Sequence, residues 1–313
     1  MADYTKLSTK IVKQLLELYD LGELETMSNL EGGQANSSVK IKTRAGVFTL
    51  SVCDEKKPEE ITCLTRVLTW LETQNFPSTR LVHAQNHKPF ILHQGKPVYI
   101  KEFLEGQVCP GLTPAMLFQV GQAMAMLHSI SPPPDLPKQF PYGLNTFEEI
   151  FDTGLFHPYV GWLKKKKAFL KSAIDPTMDK GFIHGDIFWD NLVFSQDSLV
   201  AILDFEEACH YYKLYDIGMC TVGCCSRKGL FDMGRIKNLL EGYQQTSPLT
   251  DEEKQQLKIF MEYAAVAASF WRFRQYNLRY PSPDKKDNYQ ELAFLADQVH
   301  AMDEKQFTAF FTS

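Results

Sequence analysis

The chain lacks what a membrane protein or a nucleic-acid binder would need. No apolar stretch reaches the ~18 residues of a membrane helix, since Met261–Trp271 is short and carries Glu262. Met1 to Asp20 alternates Lys, Asp and Glu with single apolar residues, so no secretory leader is expected. Positive charge is not in excess. The 33 Lys and Arg against 38 Asp and Glu leave a net charge of −5, which excludes the basic footprint of a nucleic-acid protein. An anionic nucleotide stays possible, because local cations and a metal can hold a small ligand. Disulfide scaffolding is also missing: the seven cysteines are an odd number without secreted-type spacing. Cys220, Cys224 and Cys225 cluster without the four spaced ligands of a structural zinc site. Reduced thiols in a cytoplasmic protein are the expectation.

What is present suits a folded globular protein, with 44% apolar and 23% charged residues over 313 positions. Thr9–Leu21 places Ile11, Val12, Leu15, Leu16 and Tyr19 on one helical face. The small-residue turn Glu31–Ser38 leads into Val39–Thr43, a strand by alternation, then a hairpin-like Arg44-Ala45-Gly46 and a second strand, Val47–Cys53. Glu59–Thr73 is helical again, and short apolar runs continue to Phe103. Beyond Thr113-Pro114, a helix start, helical periodicity dominates in 235–243, 251–276 and 289–311. The Lys164–Lys167 run predicts a solvated helix face. An α+β protein is expected, with a strand-rich lobe over 1–104 and a mainly helical lobe over 105–313, the active site lying between them.

The most informative stretch is Phe182-Ile183-His184-Gly185-Asp186-Ile187-Phe188-Trp189-Asp190-Asn191. A carboxylate on a tight loop can accept the proton of an attacking hydroxyl in phosphoryl transfer, the role expected of Asp186. An amide oxygen five residues on can ligate a hard cation, the role expected of Asn191. His184 is expected to hold the loop through backbone hydrogen bonds. Ala201-Ile202-Leu203-Asp204-Phe205 then ends an apolar strand in a carboxylate that can bind magnesium at the β- and γ-phosphates.

These residues resemble the aminoglycoside-phosphotransferase and choline-kinase superfamily, whose hallmark is His-Gly-Asp-x-x-x-x-Asn followed by an apolar strand and Asp-Phe. The likeness runs from about Leu15 to about Tyr276. It leans toward the type II homoserine kinases through Tyr19-Asp20-Leu21-Gly22, Asp204-Phe205-Glu206-Glu207-Ala208-Cys209, Leu214-Tyr215-Asp216-Ile217 and Phe270-Trp271-x-x-Arg274. The resemblance implies a bilobal protein-kinase-like fold. It makes Asp186 the catalytic base, Asn191 and Asp204 the Mg2+ ligands, and Gly32, Gly33, Ser37 and Ser38 the cover over the ATP phosphates. Glu102 carbonyl and Leu104 amide would meet the adenine edge. One departure stands out: Ser51 lies where relatives carry a phosphate-binding Lys or Arg. Lys40 or Lys42 can supply that charge, or both can simply face solvent.

For the acceptor, Glu206 or Glu207 suits an ammonium group. Arg274 suits a carboxylate, or else an internal Arg–Glu pair that fixes its helix. Asp216 is expected to support the loop. The reading is an ATP- and Mg2+-dependent small-molecule kinase, with homoserine as first acceptor and choline, ethanolamine, a hydroxylated amino acid or an aminoglycoside behind it. A catalytically inactive kinase-like binding module is the alternative from another class. The sequence does not fix the oligomeric state.

Overall fold

The computed structural model describes residues 5–30, 36–154, 157–227, 229–303 and 307. Gly32 and Gly33 lie outside the described residues. The chain forms two compact units, Met1–Gly106 with Val200–Leu203, and Gln107–Leu199 with Asp204–Ser313. The short Val200–Leu203 segment, expected with the second lobe, therefore clusters with the first.

The first unit contains α1 (Thr9–Leu16), β1 (Leu24–Asn29), β2 (Asn36–Thr43), β3 (Gly46–Cys53), α2 (Pro58–Thr73), β4 (Leu81–Val82), β5 (Ile91–His93) and β6 (Lys96–Glu102). The strands form an antiparallel sheet in the order β1-β2-β3-β6-β4, with β5 pairing β6. Val39, Ile41, Leu50, Val52, Val98 and Ile100 are buried on one face with Val12, Leu15 and Leu16 of α1. That alternation is why the sequence reads as strands. The hairpin closes as expected, Thr43 facing Gly46 at φ +147°. Helix α1 stops short of Leu21 because Leu18 and Tyr19 N–H reach back only three residues, to Leu15 and Leu16 (3.1 and 3.0 Å). Gly22 then turns the chain at φ +74°.

The second unit contains β7 (Gln107–Val108), α3 (Pro114–Ser129), α4 (Glu148–Phe151), α5 (Pro158–Ala173), β8 (Lys180–Ile183), β9 (Leu192–Ser195), β10 (Ser198–Ile202, whose end belongs to the first unit), β11 (Cys209–Tyr212), α6 (Lys213–Cys225), β12 (Ser226–Arg227), β13 (Leu230–Phe231), α7 (Met233–Gln244), α8 (Asp251–Phe273) and α9 (Tyr289–Ala301). Thr113 caps α3 by accepting the Met116 N–H at 3.3 Å. Helices α3 and α7 meet backbone to backbone: a Cβ on Gly121 would lie 2.0 Å from Leu239 O, and one on Gly242 1.9 Å from Phe118 O. Helix α6 is buried nearly all round, so it shows no one-sided periodicity.

Lys166 departs from the expectation of a solvated lysine run. It is buried, its Nζ 2.8 Å from both Glu262 Oε1 and Asp297 Oδ1. The buried Glu262 draws it inward, since a carboxylate at that depth needs a counter-charge. Among the described residues no helix is long and apolar enough to cross a membrane.

Candidate active site

Strand β8 pairs antiparallel with β11, Ile183 opposite Cys209. This brings the loop after β8 against the 3-10 turn Phe205–Glu207 that precedes β11. Gly185 sits between them at φ +85°, where a Cβ would lie 2.9 Å from Phe140 Cε2 and 3.0 Å from Glu207 O. Only glycine offers both the backbone conformation and the space.

Asp216 on α6 holds the loop. Its Oδ2 accepts the His184 N–H at 2.9 Å and its Oδ1 the Gly185 N–H at 2.7 Å. His128 Nε2 lies 3.1 Å from the same carboxylate, and His128 Nδ1 is 2.9 Å from the Tyr243 hydroxyl. Burial opposes the charge on Asp216, but the His128 bond, the nearby imidazoles and the His184 N–H hold it below the usual carboxylate range. The His184 ring, fully buried, accepts the Asp186 N–H through Nδ1 at 3.1 Å. Helix α6 presses on the same loop, since a Cβ on Gly223 would fall 2.7 Å from Ile187 O.

Asp186, Asn191, Asp204 and Glu207 are brought together. The Asn191 amide donates to Asp186 O at 2.9 Å and more weakly to its Oδ2 at 3.4 Å. Its Oδ1 therefore remains a ligating atom. Asp204 is held in the left-handed region, φ +60° and ψ +66°, a conformation that Asp tolerates better than most side chains. Burial first, then the charges of Asp204, Glu207 and Asp190, push Asp186 well above the ordinary carboxylate range. Like charges so gathered call for a cation. The oxygen donors of Asp204 and Asn191 suit magnesium, which takes few protein ligands and completes its shell with water and phosphate. Among the described residues no three His, Cys, Asp or Glu side chains group to hold a metal.

Beside the same loop, Glu207 Oε1 accepts the Tyr142 hydroxyl at 3.1 Å. The Tyr142 ring lies 5.9 Å from the Arg274 guanidinium, and burial, then Glu207, raises the phenol pKa. Arg274 opens a π-helical turn, Arg274–Arg279, that continues α8, with Tyr280 N–H reaching back to Gln275 O at 2.8 Å. Its Nη2 lies 2.7 Å from Glu149 Oε2, so the internal Arg–Glu pair exists. Glu206 shares the turn with Glu207 and is half-buried. Tyr142 was not legible: it lies in Phe140-Pro141-Tyr142-Gly143, a loop with no periodic signal.

In the first unit Ser37 is drawn to Asp54 instead of offering its hydroxyl to a ligand. Both its N–H and Oγ–H donate to Asp54 Oδ2, at 3.1 and 2.6 Å. Asp54 Oδ1 accepts Thr5 N–H at 3.0 Å, Thr5 Oγ1–H at 2.6 Å and Lys96 Nζ at 2.7 Å. Ser38 Oγ lies 2.8 Å from Ser51 Oγ, and Ser51 is buried. Lys42 pairs with exposed Glu25 at 3.3 Å, whereas the Lys40 ammonium sits 3.7 Å above the Phe103 ring. Glu102 ends β6, and the Leu104 amide makes no hydrogen bond among the described residues.

The sequence pattern of the phosphotransferase enzyme family matches residues 26–254. A homoserine kinase of Caulobacter sp. (strain K31) is 28% identical over 275 residues, covering 85% of this chain and 86% of that protein. A homoserine kinase of Methylobacillus flagellatus is 24% identical over 304 residues, covering 94% and 93%. In fold, a choline/ethanolamine kinase family protein from Mesorhizobium loti is similar with TM-score 0.73 at 15% identity, covering 96% and 98% of the two chains. A spectinomycin phosphotransferase in complex with ADP and spectinomycin is similar with TM-score 0.68 at 14% identity, over 96% and 100%.

Proposed function

Since the chain belongs to the phosphotransferase enzyme family and is a small-molecule kinase, we propose that it phosphorylates the hydroxyl of a small amino acid, homoserine. The observation that carries this is that Tyr142 meets both Glu207, through its hydroxyl, and Arg274, over its ring, with Glu207 close enough to perturb Asp186. Glu207 takes the acceptor's ammonium and Arg274 its carboxylate, which leaves the hydroxyl for Asp186. Homoserine kinase names among the relatives support the same acceptor.

Asp186 accepts the hydroxyl proton as the oxygen bonds to the γ-phosphorus and ADP leaves. His184 and Asp216 fix the loop that presents it. Asn191 and Asp204 would hold Mg2+, which when bound neutralises charge on the phosphate oxygens. In the first unit, Gly32, Gly33 and Ser38 are assigned to the phosphates, and Glu102 and Leu104 to the adenine edge. The cysteines, none of them in a disulfide among the described residues, suit a cytoplasmic setting.

Steady-state kinetics with homoserine, choline and ethanolamine test the acceptor. Homoserine should lead in kcat/KM by about 10²-fold or more, because a site built for two charged groups rejects molecules lacking one. If choline or ethanolamine leads, the acceptor is an amine alone and Arg274 is structural.

A further inference from the structure

Arg274 is nearly buried, its side chain 11% exposed, while its partner Glu149 remains 50% exposed. A guanidinium at that depth is strongly unfavourable without a counter-charge. Glu149 supplies it from α4, a four-residue helix anchored by buried Phe147 and Ile150. Its carboxylate ends a flexible, exposed side chain, so it can leave by rotamer change alone while the helix stays put. Across the guanidinium lies the Tyr142 ring, whose hydroxyl bonds Glu207.

We infer that Glu149 is an internal surrogate for the acceptor's carboxylate. It neutralises Arg274 in the free enzyme and is displaced when a carboxylate-bearing acceptor enters. The inference rests on the amino-acid acceptor proposed above. Two carboxylates then compete for one guanidinium, and apparent affinity for the acceptor falls by the fraction of molecules in which Arg274 is already taken. An acceptor without a carboxylate leaves the pair intact and feels no competition. Glu149 thereby sets specificity, keeping the cation satisfied when the site is empty and yielding to one class of ligand.

The test compares wild type, Glu149→Gln and Glu148→Gln on homoserine and on 3-aminopropan-1-ol, the same molecule without its carboxylate. Glu148 serves as the matched control, because it pairs with Lys167 on the same short helix. Glu149→Gln should lower KM for homoserine about two- to fivefold, the span expected from releasing one partly exposed ion pair. KM for 3-aminopropan-1-ol and for ATP should stay where they are, and Glu148→Gln should change none of them. Homoserine should also raise Tm more in Glu149→Gln than in wild type, since it repairs a cation left unpaired. If Glu149→Gln lowers Tm too far for kinetics, Glu149→Asp, shorter by one methylene, should shift KM in the same direction. A KM for homoserine that is unchanged or higher overturns the inference alone, provided wild type still prefers homoserine. A wild type that prefers 3-aminopropan-1-ol overturns the acceptor reading and this inference with it.

Discussion

Asp54 in the first unit and Asp186 in the second are both largely withdrawn from water, yet their surroundings are opposite. Asp54 collects two backbone N–H groups, two hydroxyls and an ammonium. Burial alone would raise its pKa, but Lys96, Ser37 and Thr5 outweigh burial and lower it. Asp186 has the Asn191 amide set against burial and three like charges, and is raised. A carboxylate whose needs the protein meets is a strut. One whose charge the protein aggravates is waiting for something brought from outside: on the function proposed above, a cation and a hydroxyl proton. Asp216 belongs with Asp54 in this respect, even though it touches the catalytic loop.

The contrast breaks most visibly at Asp186. Asp186→Asn should cut kcat on the order of 10²–10⁴-fold while Tm holds or rises, because the substitution removes like-charge repulsion along with the base. Turnover near wild type, measured by ADP release, would move the base elsewhere. Asp54→Ala should do the reverse, lowering unfolding free energy by about 3 kcal/mol in urea titration while largely preserving kcat. A stable Asp54→Ala protein would mean that Lys96 and Ser37 find other partners easily.

A smaller effect sharpens the same comparison through pH. The folded-state pKa of Asp54 lies below its unfolded value, so its stabilisation is present above about pH 4 and fades as pH falls through the folded pKa. The stability gap between wild type and Asp54→Asn should therefore be widest near neutrality and close in acid. A gap that widens on acidification would reverse the assigned shift.

The loop proposed to be catalytic stood out in the sequence because its residues are close together: His184, Asp186, Asn191 and Asp204 fall within one short stretch. The strands of the first unit were legible for a similar reason, since alternation around Val39–Thr43 and Val47–Cys53 reports which face is buried. What failed to show was most of what is assembled from distant segments. Asp54 meets Thr5, Ser37 and Lys96 from three separate stretches. Tyr142 meets Glu207 across 65 positions. Lys166 looks like its solvated neighbours until Glu262, far along the chain, pulls it in. Helix α6 hid for another reason. Enclosed nearly all round, it has no polar face to give away its period.

The π-helical turn at Arg274–Arg279 has a consequence for how this chain tolerates insertions and deletions. Such a turn is an α-helix that has absorbed one residue too many without breaking. Removing a single residue from Gln275–Arg279 would let the helix relax to its ordinary pitch. The wider turn spreads about the same rotation over one residue more, so everything downstream would keep close to its present azimuth. Arg274, upstream of the cut, would keep its place over Tyr142, and the approach to α9 would keep its direction. At this point in the chain a change of one residue in length can be taken up by the turn itself.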